Sequence, residues 1–77
     1  MHTKKLVIHI HELIEKKNIS LRELGRLADI DISQISPLAK GDRKRIDVGH
    51  IVRIAEALDI EDIREILTIE NVDEYGA

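Results

Sequence analysis

The chain has 77 residues, no cysteine and a formal net charge of −3, and although 43% of its residues are hydrophobic, Tyr75 is its one aromatic. That length holds a single domain with a modest aliphatic core. It leaves no disulfide framework, no thiolate nucleophile, no cysteine-based zinc site and no aromatic platform for stacking single-stranded bases.

No apolar run approaches the roughly 18 residues of a membrane span, and the N-terminus carries no signal-like apolar stretch, so a cytoplasmic protein with no membrane partner is expected. The charge is unevenly placed. Residues 1–58 carry eleven Lys and Arg against eight Asp and Glu, a balance of +3, whereas residues 59–77 carry one against seven, a balance of −6. A nucleic-acid footprint is a local basic patch and not a whole-chain charge, so an acidic chain is compatible with one.

In chain order, Leu6, Ile8 and Ile10 alternate with Val7 and His9, which predicts a short extended segment. From Ile10 the period turns helical: Ile10, Leu13 and Ile14 share a face of a first helix that ends near Lys17 and Asn18. Ser20 to Glu23 reads Ser-Leu-Arg-Glu, a capping box opening a second helix whose inward face is Leu21, Leu24, Gly25 and Ala28. Asp29, Ile30 and Asp31 end that helix, and Asp31 can cap the next.

A third helix, Ile32–Lys40, would bury Ile35 and Leu38 and close on Gly41 as a left-handed residue. Pro37 lies inside it. A proline there removes the bond to the Ser33 carbonyl and clashes with it, at about 3 kcal/mol, so a kink or break is expected. Asp47 caps a fourth helix with Ile51, Ile54, Ala55 and Leu58 on its core face. Ile60, Ile63 and Leu67 predict a short fifth helix, residues 67–69 a second extended segment pairing with the first, and residues 71–77 an acidic tail. Residues 1–70 are expected to form one domain, and Leu24, Ile35, Ile54 and Leu58 to lie in its core.

Residues 19–60 resemble the Cro and lambda-repressor type of helix-turn-helix domain, an XRE-like regulator family. The resemblance rests on Ser20 opening the second helix, Leu24 within it, Ile30 in the turn, Ile35-Ser36 with Leu38 in the third helix, then Gly41, a basic stretch and Ile54-Ala55-Glu56-Ala57-Leu58. Two positions depart from the family pattern: Gly25 stands where alanine is usual, and Asp29 where the turn usually has glycine. Gly25 still permits close helix approach, and Asp tolerates positive φ better than most residues.

The resemblance, together with the periodicity, implies an all-α fold: a five-helix lambda-repressor-like DNA-binding domain with short extended N- and C-terminal segments and the helix-turn-helix at about residues 20–40. It implies duplex DNA as partner and a small transcriptional repressor as function. The family's base-reading positions fall on Ile32, Ser33 and Pro37, with Gln34 beside them. Only Ser33 and Gln34 can hydrogen-bond a base edge, while Ile32 and Pro37 can at most touch a thymine methyl. Lys40, Arg43, Lys44 and Arg45 follow where a docked domain passes the phosphate backbone, and Arg22 at the start of the second helix is a further phosphate candidate.

His9 and His11 have a spacing that metal sites can use on an extended segment, but Glu12 would lie on a different face if the helix has begun, and neither a metal nor a cofactor is expected. His50 has no identifiable catalytic partner and is read as a surface residue of the fourth helix, so no enzyme is expected. A homodimer on paired half-sites is an open possibility. So is an alternative function, a helix-turn-helix module with little DNA specificity that binds another protein, as an antirepressor or antitoxin would, with Ile32 and Pro37 as contacts.

Overall fold

A computed structural model of the chain describes residues 2–41 and 45–73, with the side chains of residues 2 and 73 left aside. The elements run β1 (His2–Ile8), α1 (Ile10–Lys17), α2 (Leu21–Ala28), α3 (Ile32–Lys40), α4 (Val48–Leu58), a single 3-10 turn at Ile63–Glu65, and β2 (Leu67–Asp73). Among the described residues the architecture is four helices and a small two-stranded sheet, not an all-α bundle of five helices.

Local chemistry sets the helix boundaries. The Ser20 hydroxyl accepts the Glu23 N–H at 3.0 Å, and the carboxylates of Asp31 and Asp47 accept the N–H groups of Ser33 and Gly49 at 2.8 Å each. Each satisfies a donor that a helix N-terminus otherwise leaves bare. The second half of the expected capping box is absent: the Glu23 carboxylate turns to the Arg26 guanidinium, with bonds of 2.8 and 2.6 Å.

Three helix C-termini close in the same way. Asn18, Asp29 and Asp59 adopt left-handed backbone at φ 57, 56 and 55, and each precedes an isoleucine. The N–H of Ile19, Ile30 and Ile60 returns to the carbonyl of Ile14, Gly25 and Ala55, at 3.0, 2.8 and 2.8 Å. These are Schellman closures, in which the polar residue supplies the turn and the following apolar one folds back onto the helix. An Asx-Ile pair marks each of them, but the same pair at Asp31-Ile32 and Asp62-Ile63 opens a helix instead.

Ile10, Leu13, Leu24, Ile35, Ile54 and Leu58 meet in one aliphatic core, joined by Ile30 from the turn and Ile60 and Ile66 from the C-terminal connection. The four core residues expected from periodicity are all buried. Pro37 does not break α3, which runs helical from Ile32 to Lys40. Burial of Ile35 before the proline and of Leu38 and Ala39 after it holds the segment in place. The Ser33 carbonyl that loses its donor belongs to an exposed residue, within reach of water.

The expected fifth helix is the 3-10 turn alone. Asp62 caps it through the Arg64 N–H at 3.0 Å, and by Leu67 the chain must already be extended to pair with Ile8. Too few residues remain between those constraints for two α-helical turns. β1 and β2 do pair, antiparallel, with His2 opposite Asp73, Leu6 opposite Ile69 and Ile8 opposite Leu67. Asn71–Asp73 therefore completes a strand where the acidic tail was expected to begin, and residues 74–77 lie outside the described residues.

His9 joins this ribbon to the helices. Its N–H bonds to the Ile66 carbonyl at 2.7 Å, its Nε2 lies 2.7 Å from the Thr68 hydroxyl, and its Nδ1 lies 3.2 Å from Glu12. The expectation that Glu12 would face away is thus corrected: His9 sits just before α1, and a residue three positions on comes back over it. His11 is inside α1 and exposed, so the two histidines do not share an extended segment.

Candidate nucleic-acid interface

α2 and α3 are held at a close crossing by the residues between and behind them. A Cβ on Gly25 would lie 2.8 Å from the Ile30 carbonyl oxygen, so glycine is what lets the turn fold against α2. Ile30 is buried, which pins the turn from inside. From α4, Arg53 donates to the Asp29 carbonyl at 3.3 Å, which ties the turn to a third helix.

This frame presents the N-terminal half of α3. Ile32, 39% exposed, and the exposed Ser33 and Gln34 lie on its open face, and Pro37 is half-buried one turn further on. Asp31 caps the same end, and its carboxyl is held below the usual range by the Ser33 hydroxyl and then by the Ser33 backbone N–H. Lys40 is exposed in the last turn of α3, ahead of Gly41 at φ 74.

Two clefts adjoin α3, one at its N-terminal end against α2 and one on the side that faces α4. On the α2 side, Arg22 and Arg26 line it with Asp29, Asp31 and Ile32. Arg26 is engaged by Glu23 through a two-pronged bond, which leaves Arg22 as the other arginine of this wall. On the α4 side the lining is Gln34, Arg45 and His50, with Leu38 and Ile46 beneath and Asp47 beside them. His50 has a side chain only 20% exposed, and its Nε2 stands 3.8 Å from the Asp47 carboxylate.

Of the residues singled out in the sequence, Ile32 and Arg22 thus share one cleft and Gln34 and Arg45 the other. Arg43 and Lys44 lie outside the described residues. His50, read from the sequence as a plain surface residue, is instead a wall of the cleft that contains Gln34. Its place four residues before the buried Ile54 is the available sign that it flanks the core side of α4.

Among the described residues no three His, Asp or Glu side chains come together as a metal cage, and no helix is long and apolar enough to cross a membrane. No curated protein and no solved structure matches the chain. A family model described as the Cro/C1-type HTH DNA-binding domain matches residues 9–71, from the residue before α1 into β2. With that match spanning the helix-turn-helix frame and the two clefts beside α3, the chain belongs to the Cro/C1-type helix-turn-helix DNA-binding domain family.

Proposed function

We propose that this chain is a small transcriptional repressor that grips duplex DNA chiefly by charge and reads few base pairs. The observation that carries the reading is the composition of α3's open face, where Ser33 and Gln34 are the side chains able to bond a base edge, between two clefts that each hold an arginine. Gln34 favours adenine, while Ile32 and Pro37 offer thymine methyl contact at most. Arg22, Lys40, Arg43, Lys44 and Arg45 are the proposed phosphate contacts. The helices act as one unit with the β1–β2 ribbon that closes at Asp73, and two copies on half-sites one helical turn apart extend a short site.

Selection from a randomised duplex pool, followed by sequencing of the bound fraction, tests specificity. Enrichment of a short motif containing adenine supports the reading. Replacing Arg43, Lys44 and Arg45 together by Ala should weaken binding to every sequence alike. It should also flatten the slope of log affinity against log salt by about 0.9 for every phosphate no longer neutralised. Ser33→Ala or Gln34→Ala should instead change preference among sequences. Absence of duplex binding even at low salt would overturn the proposal. The exposure of Ile32 beside Pro37 favours a second reading in that event, a protein-binding module whose complex is lost on Ile32→Ser without loss of fold.

A further inference from the structure

We propose that His9 is a proton-dependent latch: the β1–β2 ribbon docks on the helices with this ring as an imidazolium and loosens as the ring gives up a proton. The inference concerns the junction alone and does not depend on the DNA-binding reading.

Three hydrogen bonds run in series across the junction. His9 Nδ1 lies 3.2 Å from Glu12 in the first turn of α1, His9 Nε2 lies 2.7 Å from the Thr68 hydroxyl on β2, and that hydroxyl donates to Glu70 at 2.9 Å. Both ends of the series are carboxylates, which accept and do not donate. The single Thr68 hydroxyl proton goes to Glu70, so the Thr68 oxygen must accept from Nε2–H. Glu12 likewise requires Nδ1–H. A ring that donates from both nitrogens is an imidazolium.

A neutral ring leaves the series one proton short. If its proton sits on Nε2, the bare Nδ1 faces the Glu12 carboxylate. If it sits on Nδ1, Nε2 takes the Thr68 proton, and the Thr68 oxygen then faces Glu70 with no proton between them. Either way one hydrogen bond becomes a repulsion between lone pairs. The His9 side chain is 15% exposed, so water has little access to supply the missing donor.

The charges around the ring favour the same form. Glu12 of α1 and Glu70 of β2 face it, the latter 3.7 Å from Nε2. Lys16 of α1 and Arg64 and Glu65 of the 3-10 turn line the same cleft, but Lys16 is held by Glu65 at 3.5 Å and Arg64 by Asp62 at 2.7 Å. Lys5 of β1 stands opposite Glu70 in the ladder with no ion pair between them. Among the described residues, His9 is thus the cation within ion-pair distance of both Glu12 and Glu70. Joining β2 to α1 through this ring takes up a proton, so docking weakens as pH rises across the histidine range of about pH 5 to 8.

The test follows amide exchange in the full chain at about pH 5.5 and about pH 8, with rates corrected for the intrinsic pH dependence of exchange. Protection of the β2 amides should fall about two- to tenfold between the two, the range for one hydrogen bond. Glu12→Gln should reduce that fall to less than about twofold, because its amide can donate to the bare Nδ1 and complete the series with a neutral ring. His9→Gln, measured alongside, shows what the other three histidines contribute, and its β2 protection should be low at both pH values.

Wild-type β2 protection that does not change with pH would overturn the inference. So would an equal fall in wild type, Glu12→Gln and His9→Gln, which would place the titrating group elsewhere. Should His9→Gln fail to fold, Glu12→Gln decides alone, and a fall as large as that of the wild type counts against the latch.

Discussion

In the helical body Leu24, Ile35 and Ile54 are shut off from water entirely, whereas in the ribbon the cross-strand pair Leu6 and Ile69 leave 43% and 63% of their surface in it. The body is held by apolar area drawn from four helices, the turn between two of them and the C-terminal connection. The ribbon is held by its ladder, by Lys4 bonding Asn71 at 2.8 Å, and by the His9 junction at its base. Two strands alone are marginal in water, so the ribbon depends on the body through Ile8, Leu67 and Ile66. The regions therefore differ in what destroys them: missing volume in one, missing directional bonds in the other.

The sharpest test of that contrast is truncation in each region. Leu24→Ala should cost about 2–5 kcal/mol by urea denaturation, and Leu6→Ala about 1 kcal/mol or less, since part of that side chain is already hydrated. Equal losses would erase the distinction. Gly25→Ala should come next. Forcing a Cβ against the Ile30 carbonyl costs about 1–3 kcal/mol, from which the better helix propensity of alanine returns up to about 1 kcal/mol. A lowered melting temperature is expected, and a raised one would show that the turn can slide.

His9→Ala should cost about 1–2 kcal/mol by removing the bonds to Thr68 and Glu12. Amide exchange should accelerate in β2 more than in α4; uniform acceleration would mean that ribbon and body open together. Asp29→Gly should stabilise by about 0.5–1 kcal/mol, because glycine adopts the left-handed backbone freely and the negative charge leaves a helix C-terminus. The Arg53 bond goes to the Asp29 carbonyl and survives the change. A lower urea midpoint for this variant would show that the Asp29 side chain itself holds the turn.

The smallest effect concerns acid. Asp62 is lowered to about 2, first by the Arg64 side chain and then by its backbone N–H, and Glu23 is lowered chiefly by its bond to Arg26. Groups with depressed native values add stability that is present above the ordinary carboxylate range and is lost as pH falls toward 2. Both are exposed, so the contribution is screened. Asp62→Asn should slightly flatten the fall of the urea midpoint between about pH 5 and pH 2, and an unchanged profile would show that the Arg64 pair adds nothing.

Ser20, Asp31 and Asp47 are legible as caps, and Leu24, Ile35, Ile54 and Leu58 as core, because both signals depend on residues within one or two helical turns. The order of those elements also carries the family resemblance, and with it the position of the open face of α3. Local pattern thus suffices to say where four helices begin and which faces they bury. Other features arise only when distant elements meet. Pro37 stays helical because neighbours on both sides are buried by other elements, and the fifth helix shrinks to one turn because Leu67 must reach Ile8 across 59 residues of chain. His50 becomes a cleft wall only once α4 lies beside α3. Periodicity records neighbours three or four residues apart, and it holds no information about which distant surface a side chain will meet when the core closes.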